Sequence, residues 1–310
     1  SPYRRVREWS AQGVGGMSTP AERMAAAKVR TSHPLTIKFS ESFDFPLDDF
    51  QIESLHCVED GHGLLVAAPT GAGKTVVGEF AAFLALEKSK KCFYTTPIKA
   101  LSNQKFAEFV IKFGEENVGL LTGDTNINSE APILVMTTEV LRNMLYAGSS
   151  TLTNLQSVVM DEVHYLADKF RGAVWEEVLI HLMESVQVIS LSATVSNAEE
   201  FGEWLGTVRG DTDVIVSEIR PIPLYQHVLI GNRLIDLFKE PGKINPELLA
   251  LERESMRKVK MPRHRRERFE ESENKLSRPE IIETLDRQGL LPAITFIFSR
   301  AACDAAVKQC

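Results

Sequence analysis

Residues 64–75 read Leu-Leu-Val-Ala-Ala-Pro-Thr-Gly-Ala-Gly-Lys-Thr, an apolar run followed at once by a glycine-rich turn. This pattern predicts a buried strand, a tight loop and the start of a helix. Gly71 and Gly73 let successive backbone N–H groups curl around a phosphate, and the helix N-terminus adds partial positive charge. The stretch therefore predicts a P-loop that binds a nucleoside triphosphate.

Two side chains of this loop have predicted chemical roles. Lys74 supplies a full charge toward the β- and γ-phosphates, and Thr75 offers a hydroxyl to Mg²⁺. Ala68 stands at a position where the common pattern has glycine. The residues predicted to hold the triphosphate are Ala68, Pro69, Thr70, Gly71, Ala72, Gly73, Lys74 and Thr75.

The chain on both sides of the loop alternates short apolar runs with longer stretches of helical period. Unbroken apolar runs are typical of strands that helices cover on both faces, so the pattern predicts an α/β fold with a doubly wound parallel sheet. Ligands of such folds bind at the carboxyl ends of the strands. The predicted strands are 64–68, 92–95, 118–121, 133–136, 157–160, 188–191 and 214–216, and the predicted helices 74–87, 98–113, 173–183 and 197–205.

A second apolar run, residues 157–160, ends in the acidic pair Asp161 and Glu162. The sheet should bring this pair beside the P-loop. Asp161 can then hold Mg²⁺, directly or through water, while Glu162 orients or deprotonates the water that attacks the γ-phosphate. Lys74, Asp161 and Glu162 are therefore the predicted catalytic residues, and Thr75 and Asp161 the predicted magnesium ligands. An ordinary acidic turn after a strand is the alternative, which an upstream P-loop disfavours.

Composition limits the class of protein. The 310 residues are 44% hydrophobic and 25% charged, as in an ordinary globular protein. The net charge of −7 excludes a wholesale basic coat, so any nucleic-acid site must be local. The four cysteines have neither disulfide-framework nor zinc-ligand spacing, which favours reduced thiols and a cytoplasmic protein. No apolar run is long enough to cross a bilayer, so no membrane association is expected.

Four regions are predicted along the chain. Residues 1–34 are Arg-rich and are predicted to be a flexible extension, with a transit peptide as the alternative. Residues 35–230 are the α/β lobe. Residues 231–291 are a charged linker or insertion, and residues 292–310 the start of a second lobe.

The charged linker cannot supply a core. Residues 251–280 contain ten basic and seven acidic residues and almost no aliphatic stripe. Residues 263–268 could be a nuclear address or an RNA contact, although a solvated helix or loop is favoured. Beyond the linker, Ile294–Phe298 (ITFIF) predicts a buried strand, and residues 301–309 predict a helix.

The ordered set APTGAGKT, TTPIKALSNQKF, LTGD, VMTTEVLRNMLY, DEVH and SAT resembles the superkiller-like (Ski-two-like) DExH-box helicases of superfamily two. The resemblance covers about residues 40–230 and is greatest to the actinobacterial helicase-Y type. It implies a RecA-like lobe that uses ATP and Mg²⁺ to move along RNA. It also implies that the arginine-bearing motif of the second lobe lies beyond Cys310, so the 310 residues alone should bind ATP–Mg²⁺ but hydrolyse it poorly.

The resemblance also implies site residues. Phe45 and Gln51 occupy a stretch similar to the family's adenine-selecting Q-motif, where an aromatic ring stacks on the base and an amide pairs with its edge. A capping Asp48 before a packed Phe50 is the alternative, and it would leave the base open. His164, Ser192, Ala193 and Thr194 are implied to couple the nucleotide to the nucleic acid. The implied backbone-binding residues are Thr96, Pro97, Lys99, Ala100, Asn103, Gln104, Gly123, Asp124, Thr137 and Thr138.

Three functions stay open at this point. The first is an RNA helicase acting on single-stranded or tailed RNA. The second is a DNA helicase or translocase, because phosphate contacts separate RNA from DNA weakly. The third is a nucleotide-gated clamp without useful turnover, which an intact set of Lys74, Thr75, Asp161 and Glu162 disfavours.

Overall fold

A computed structural model describes residues 6–9, 33–164, 172–193, 198–240, 242–259 and 276–310 of the chain. Internal contacts divide the protein into two compact units, Ser1–Ile222 and Pro223–Cys310. The predicted N-terminal extension lies largely outside the described residues, and so does the basic stretch 263–268. In the described part of the chain, no helix is both long and apolar enough to span a bilayer.

The first unit is built on a nine-stranded sheet with strand order β1-β9-β2-β8-β7-β3-β6-β4-β5. All neighbouring strands run parallel except β4 and β5, which form an antiparallel pair. The strands are β1 (Val6–Trp9), β2 (Gly63–Ala67), β3 (Lys91–Thr96), β4 (Val118–Thr122), β5 (Thr125–Ile127), β6 (Ile133–Thr137), β7 (Leu155–Met160), β8 (Gln187–Ser192) and β9 (Thr212–Ser217).

Helices connect these strands. They are α1 (Pro34–Ser40), α2 (Asp49–Asp60), α3 (Thr75–Glu87), α4 (Lys99–Phe113), α5 (Thr138–Tyr146), α6 (Gly172–His181) and α7 (Ala198–Arg209). Each predicted strand and helix of this unit is present, with ends shifted by a few residues. The structure adds further elements to those predicted: β1, which lies within the predicted extension and pairs with β9, and α1, α2, β5 and α5.

The sheet separates two hydrophobic cores, because successive side chains of a strand point to opposite faces. Leu64 and Val66 pack into one core with residues of α1 to α4, whereas Leu65 packs into the other with residues of α5 to α7. Trp175 and Leu179 of α6 are fully buried in that second core. Helices therefore cover both faces, and the predicted α/β fold with a doubly wound, mostly parallel sheet is confirmed.

Within its described residues, the second unit contains two small antiparallel pairs and three helices. Its elements are β10 (His227–Ile230), β11 (Arg233–Asp236), β12 (Phe238–Glu240), β13 (Lys243–Ile244), α8 (Pro246–Val259), α9 (Arg278–Arg287) and α10 (Arg300–Val307). The helix predicted over 301–309 matches α10.

The strand predicted at Ile294–Phe298 is wrong. These residues have no strand conformation, and Ile294, Phe296 and Phe298 are 82%, 81% and 105% exposed. A β-strand needs a hydrogen-bonded neighbour, and in the described part of this unit the strands pair only as β10 with β11 and β12 with β13. Hydrophobicity alone therefore does not make this segment a strand.

Candidate nucleotide and nucleic-acid site

The carboxyl ends of the parallel strands meet at one edge of the sheet. Ala67 pairs with Ser192, Thr95 with Met160 and Thr96 with Thr137, so strands distant in sequence end at the same level. We call the edge formed by β2, β8 and β7 the P-loop half, and the edge formed by β3, β6 and β4 the Lys99 half. The strand order thus divides the predicted nucleotide residues from the predicted nucleic-acid residues.

The P-loop connects β2 to α3. Gly71 and Gly73 have φ of +86° and +81°, a backbone region that favours glycine. The Lys74 ammonium donates to the carbonyls of Ala68 and Pro69 at 2.7 and 3.0 Å. In the described part of the chain, no backbone carbonyl accepts from the N–H groups of Gly73, Lys74 or Thr75. The loop thus presents backbone donors beside one ammonium group.

The acidic pair follows β7. The backbone N–H of Asp161 donates to the carbonyl of Thr95 at 3.0 Å, which fixes Asp161 at the end of the strand. Glu162 has φ of +55°, which is uncommon for a residue with a side chain and occurs often at functional sites. Its carboxylate lies 3.3 Å from Nδ1 of His164. Asp161 therefore ends the strand, whereas Glu162 lies in a turn after it with His164 beside its carboxylate.

The charges of the P-loop and the acidic pair act on one another. Burial lowers the pKa of Lys74, and the Glu162 and Asp161 carboxylates act in the opposite direction. Burial and the Asp161 charge raise the pKa of Glu162, while His164 and Lys74 oppose that shift. The charges of Lys74, Asp161 and Glu162 therefore influence one another, as the predicted common site requires.

The strand of the acidic pair is not the direct neighbour of the P-loop strand, because β8 lies between β2 and β7. The carbonyl of Ser192, at the end of β8, accepts from the N–H of Ala68 at 3.2 Å. Ser192 is buried and Ala193 is partly exposed. The SAT segment therefore supports the P-loop directly. Thr194 lies outside the described residues.

Gln51 contacts the P-loop. Its Nε2 donates to the carbonyls of Gly73 and Ala72 at 3.1 and 3.4 Å, and its Oε1 accepts from the N–H of Asp48 at 2.8 Å. Gln51 is only 5% exposed, and Phe50 beside it is also buried. The structure therefore has the features of the alternative interpretation of this stretch, in which Asp48 caps α2 and Phe50 is packed. In this conformation the Gln51 amide contacts the phosphate loop.

Phe45 differs from Gln51 in its exposure. Its ring is 58% exposed and contacts Phe43 edge-on, with ring centroids 5.4 Å apart. An exposed aromatic ring on a supported loop can stack on a base. The ring of Phe45 is therefore accessible, which its predicted role of stacking on a base requires.

The predicted nucleic-acid residues of the Lys99 half fall into two groups. Thr96, Pro97, Thr137 and Thr138 are buried, and the hydroxyl of Thr138 donates to the carbonyl of Thr96 at 3.3 Å. The Thr96 hydroxyl bonds to Ile98 and Ser102. These buried residues support the edge of the sheet and are not exposed on its surface. The exposed residues are Lys99, Ala100, Asn103, Gln104, Gly123 and Asp124.

Lys99 and Asp124 form an ion pair. The ammonium lies 2.7 and 2.6 Å from the two carboxylate oxygens, and the Thr122 hydroxyl donates to the same carboxylate at 3.1 Å. Hydrogen bonds from Lys99 and Thr122 lower the pKa of Asp124. In this structure Asp124 is therefore the ion-pair partner of Lys99.

One functional contact could not be found from sequence spacing. The hydroxyl of Tyr94, on β3, donates to Oδ2 of Asp161 at 2.6 Å across 67 residues of sequence. Burial, followed by the Asp161 charge, raises the pKa of Tyr94 well above its ordinary value, so its hydroxyl stays protonated. The only sequence signal is a tyrosine within a buried strand next to a predicted site.

The residues present fit a magnesium-bound triphosphate. The P-loop offers backbone N–H groups and an ammonium to phosphate oxygens, and the space beside Gly71 is open, since a Cβ built there would meet no atom within 4 Å. The Thr75 hydroxyl and the Asp161 carboxylate are oxygen ligands of the type that Mg²⁺ prefers.

Comparison with known proteins agrees with this site. Residues 48–201 match the DEAD/DEAH box helicase family. The probable helicase HelY of Mycobacterium leprae is 56% identical over 88% of this chain and 31% of its own length. The DExH-box ATP-dependent RNA helicase DExH15 of Arabidopsis thaliana is 40% identical over 86% of this chain and 26% of its own. The antiviral helicase SKI2 of Saccharomyces cerevisiae is 42% identical over 73% of this chain and 18% of its own.

A solved structure shares the fold. The DUF1998 helicase MrfA bound to DNA superposes with a TM-score of 0.50 at 20% identity, covering 59% of this chain and 29% of that one. The chain spans about a third of the length of the HelY relatives. The predicted resemblance to superkiller-like helicases, and among them to the helicase-Y type, is confirmed. The chain therefore contains a DEAD/DEAH box helicase domain over residues 48–201.

Proposed function

We propose that this chain is the nucleotide-binding lobe of an ATP-dependent RNA helicase, which couples ATP hydrolysis to movement along and unwinding of RNA. The observation that carries this proposal is the shared edge of the sheet, where the P-loop and the acidic pair adjoin the Lys99 half. The DEAD/DEAH box helicase domain supports the ATP-dependent helicase activity. The relatives named as RNA helicases support RNA as the substrate.

The chain's own residues have distinct roles in this proposal. The P-loop N–H groups and Lys74 bind the phosphates, and the positive charge of Lys74 stabilises negative charge that develops during transfer. Glu162 orients the attacking water and accepts its proton. Mg²⁺, held by Thr75 and Asp161, would neutralise charge on the phosphate oxygens. Phe45 stacks on adenine, and Gln51 connects that end of the site to the P-loop.

The Lys99 half binds the sugar-phosphate backbone. Phosphate contacts position a strand without reading its sequence. The exposed groups of this half that are suited to such contacts are the amides of Asn103 and Gln104, the ammonium of Lys99 and the backbone at Gly123. His164, Ser192, Ala193 and Thr194 transmit the state of the nucleotide. Lobe closure around ATP would change the grip on the strand, and hydrolysis would release it.

The decisive experiment for function measures ATP turnover by the full-length protein with and without single-stranded RNA. The proposal predicts stimulation by RNA. Turnover that does not respond to nucleic acid would contradict it. Matched RNA and DNA duplexes with single-stranded tails then separate the two helicase hypotheses, since unwinding of the DNA duplex alone would favour the DNA helicase.

Glu162→Gln tests the alternative of a clamp without useful turnover. Loss of the general base is expected to lower kcat about 10²- to 10⁴-fold in the full-length protein, whereas ATP binding is kept. Glu41→Gln, which changes an exposed carboxylate after α1, is a control. ATPase assays and equilibrium nucleotide binding give the two readouts. A full-length Glu162→Gln protein that kept normal activity would favour the clamp.

A further inference from the structure

Tyr94 lies at the border between the two halves of the sheet edge. It is on β3, the first strand of the Lys99 half, and β3 is hydrogen-bonded to β7 of the P-loop half. Two residues after Tyr94 the strand ends at Thr96, and α4 begins at Lys99. Its hydroxyl reaches across the border to Asp161 at 2.6 Å. One side chain thus connects the two halves.

The ring of Tyr94 is held on several sides. It is 0% exposed and packs edge-on against Phe109 of α4, with centroids 5.1 Å apart. A Cβ added to Gly78 of α3 would lie 2.6 Å from the ring, so α3 packs directly against it. The ammonium of Lys105 lies 5.7 Å from the ring centroid. The helix that begins at the P-loop and the helix that begins at Lys99 therefore both fix the ring.

The Asp161 carboxylate is held through both of its oxygens. Oδ2 accepts the Tyr94 hydroxyl, and Oδ1 accepts the N–H of Glu162 at 2.9 Å. Hydrogen bonds to charged groups are stronger than those between neutral groups. Two such bonds fix the plane of the carboxylate and leave a further lone pair on each oxygen for another ligand.

We propose that Tyr94 is a positioning residue that holds Asp161 in the orientation required to bind the metal of the ATP complex. This inference rests on the proposed function and adds to it a residue outside the predicted site. A hydrogen bond from a neighbouring side chain to a metal ligand orients that ligand, and its loss typically weakens metal affinity 10- to 100-fold. Tyr94 also makes the orientation of Asp161 depend on the packing of α4 against β3.

Tyr94→Phe in the full-length protein tests the inference, because the variant keeps the buried ring and removes only the hydroxyl. Electron paramagnetic resonance with Mn²⁺ measures metal binding to the ADP complex without turnover. The expected result is Mn²⁺ binding that is weaker by about tenfold, with ADP affinity in the absence of metal unchanged. At saturating single-stranded RNA, KM for the ATP–Mg²⁺ complex should rise about tenfold, because a metal that is held ten times more weakly weakens the binding of its complex by the same factor.

Thr95→Val is the matched control. The Thr95 hydroxyl donates to the carbonyl of Val159 at 3.1 Å, so the variant removes another buried bond between β3 and β7 and keeps the Thr95 carbonyl. Its Mn²⁺ affinity should equal that of the wild type. Equal weakening in both variants would overturn the inference, because packing of the strands would explain it.

The outcomes also separate this inference from the proposed function. If the wild-type ADP complex binds Mn²⁺ and Tyr94→Phe binds it equally well, the inference is overturned and the helicase proposal stands. If the wild-type complex binds no Mn²⁺, the metal site of the proposed function is overturned, and the inference with it.

Discussion

The two halves of the sheet edge hold their charged groups in different ways. In the P-loop half, buried groups hold the functional side chains, because the Tyr94 hydroxyl contacts Asp161 and the Gln51 amide contacts the P-loop. In the Lys99 half, the side chains of the ion-paired Lys99 and Asp124 are 47% and 67% exposed. Exposed ion pairs contribute little to stability, whereas buried hydrogen bonds fix geometry. The comparison indicates that the proposed nucleotide site is rigid and that the proposed strand-binding surface is more adaptable.

Substitutions of the P-loop glycines test the difference between the two halves, and we expect them to have the largest effect on ligand affinity. Gly71 and Gly73 both have positive φ, but a Cβ at residue 73 would lie 2.5 Å from Nε2 of Gln51, whereas a Cβ at residue 71 would meet nothing. Gly71→Ala should weaken binding of an ATP analogue about tenfold through backbone strain alone. Gly73→Ala should weaken it by about a further tenfold, because Gln51 must move.

A double-mutant cycle isolates the Gln51 contact. Combining Gly73→Ala with Gln51→Ala makes room for the new Cβ, so the two losses of affinity should be less than additive when binding is measured by titration calorimetry. The combination of Gly71→Ala with Gln51→Ala is the control and should be close to additive. Additive losses in both cycles would show that the P-loop half is less rigid than its contacts indicate.

Asp124→Asn should give a smaller effect, and in the opposite direction. The variant removes the carboxylate that competes with phosphate for Lys99, so binding of single-stranded RNA should become about two- to fivefold tighter at low salt. The gain should disappear at high salt. Fluorescence anisotropy measures both conditions, and Lys99→Gln, which removes the cation itself, should weaken binding. Weaker binding by Asp124→Asn would mean that Asp124 contacts the strand directly.

The sequence was informative where function depends on neighbours along the chain. The P-loop, Asp161 and Glu162 each follow an apolar strand, so their placement at one edge follows from the topology of a parallel sheet. The sequence could not show that β8 lies between β2 and β7, because strand order depends on how the connections cross the sheet. It also could not show that the Thr96 and Thr138 hydroxyls form hydrogen bonds to other groups of the protein.

Contacts between distant residues were the least predictable. Tyr94 and Asp161 meet because β3 and β7 are paired, and Gln51 reaches the P-loop because α2 packs beside α3. A tyrosine or glutamine in an apolar segment does not indicate its partner. The segment Ile294–Phe298 shows the same limit, since its apolar sequence gave no information on whether a neighbouring strand would be available.

Mg²⁺-dependent binding of a non-hydrolysable ATP analogue to wild type and Asp161→Asn tests the central claim most directly. If the P-loop and the acidic pair hold one triphosphate and its metal, Mg²⁺ should tighten binding to the wild type about tenfold or more and have little effect on Asp161→Asn. Binding without metal should be similar in both proteins. Equal tightening by Mg²⁺ in the two proteins would contradict the claim.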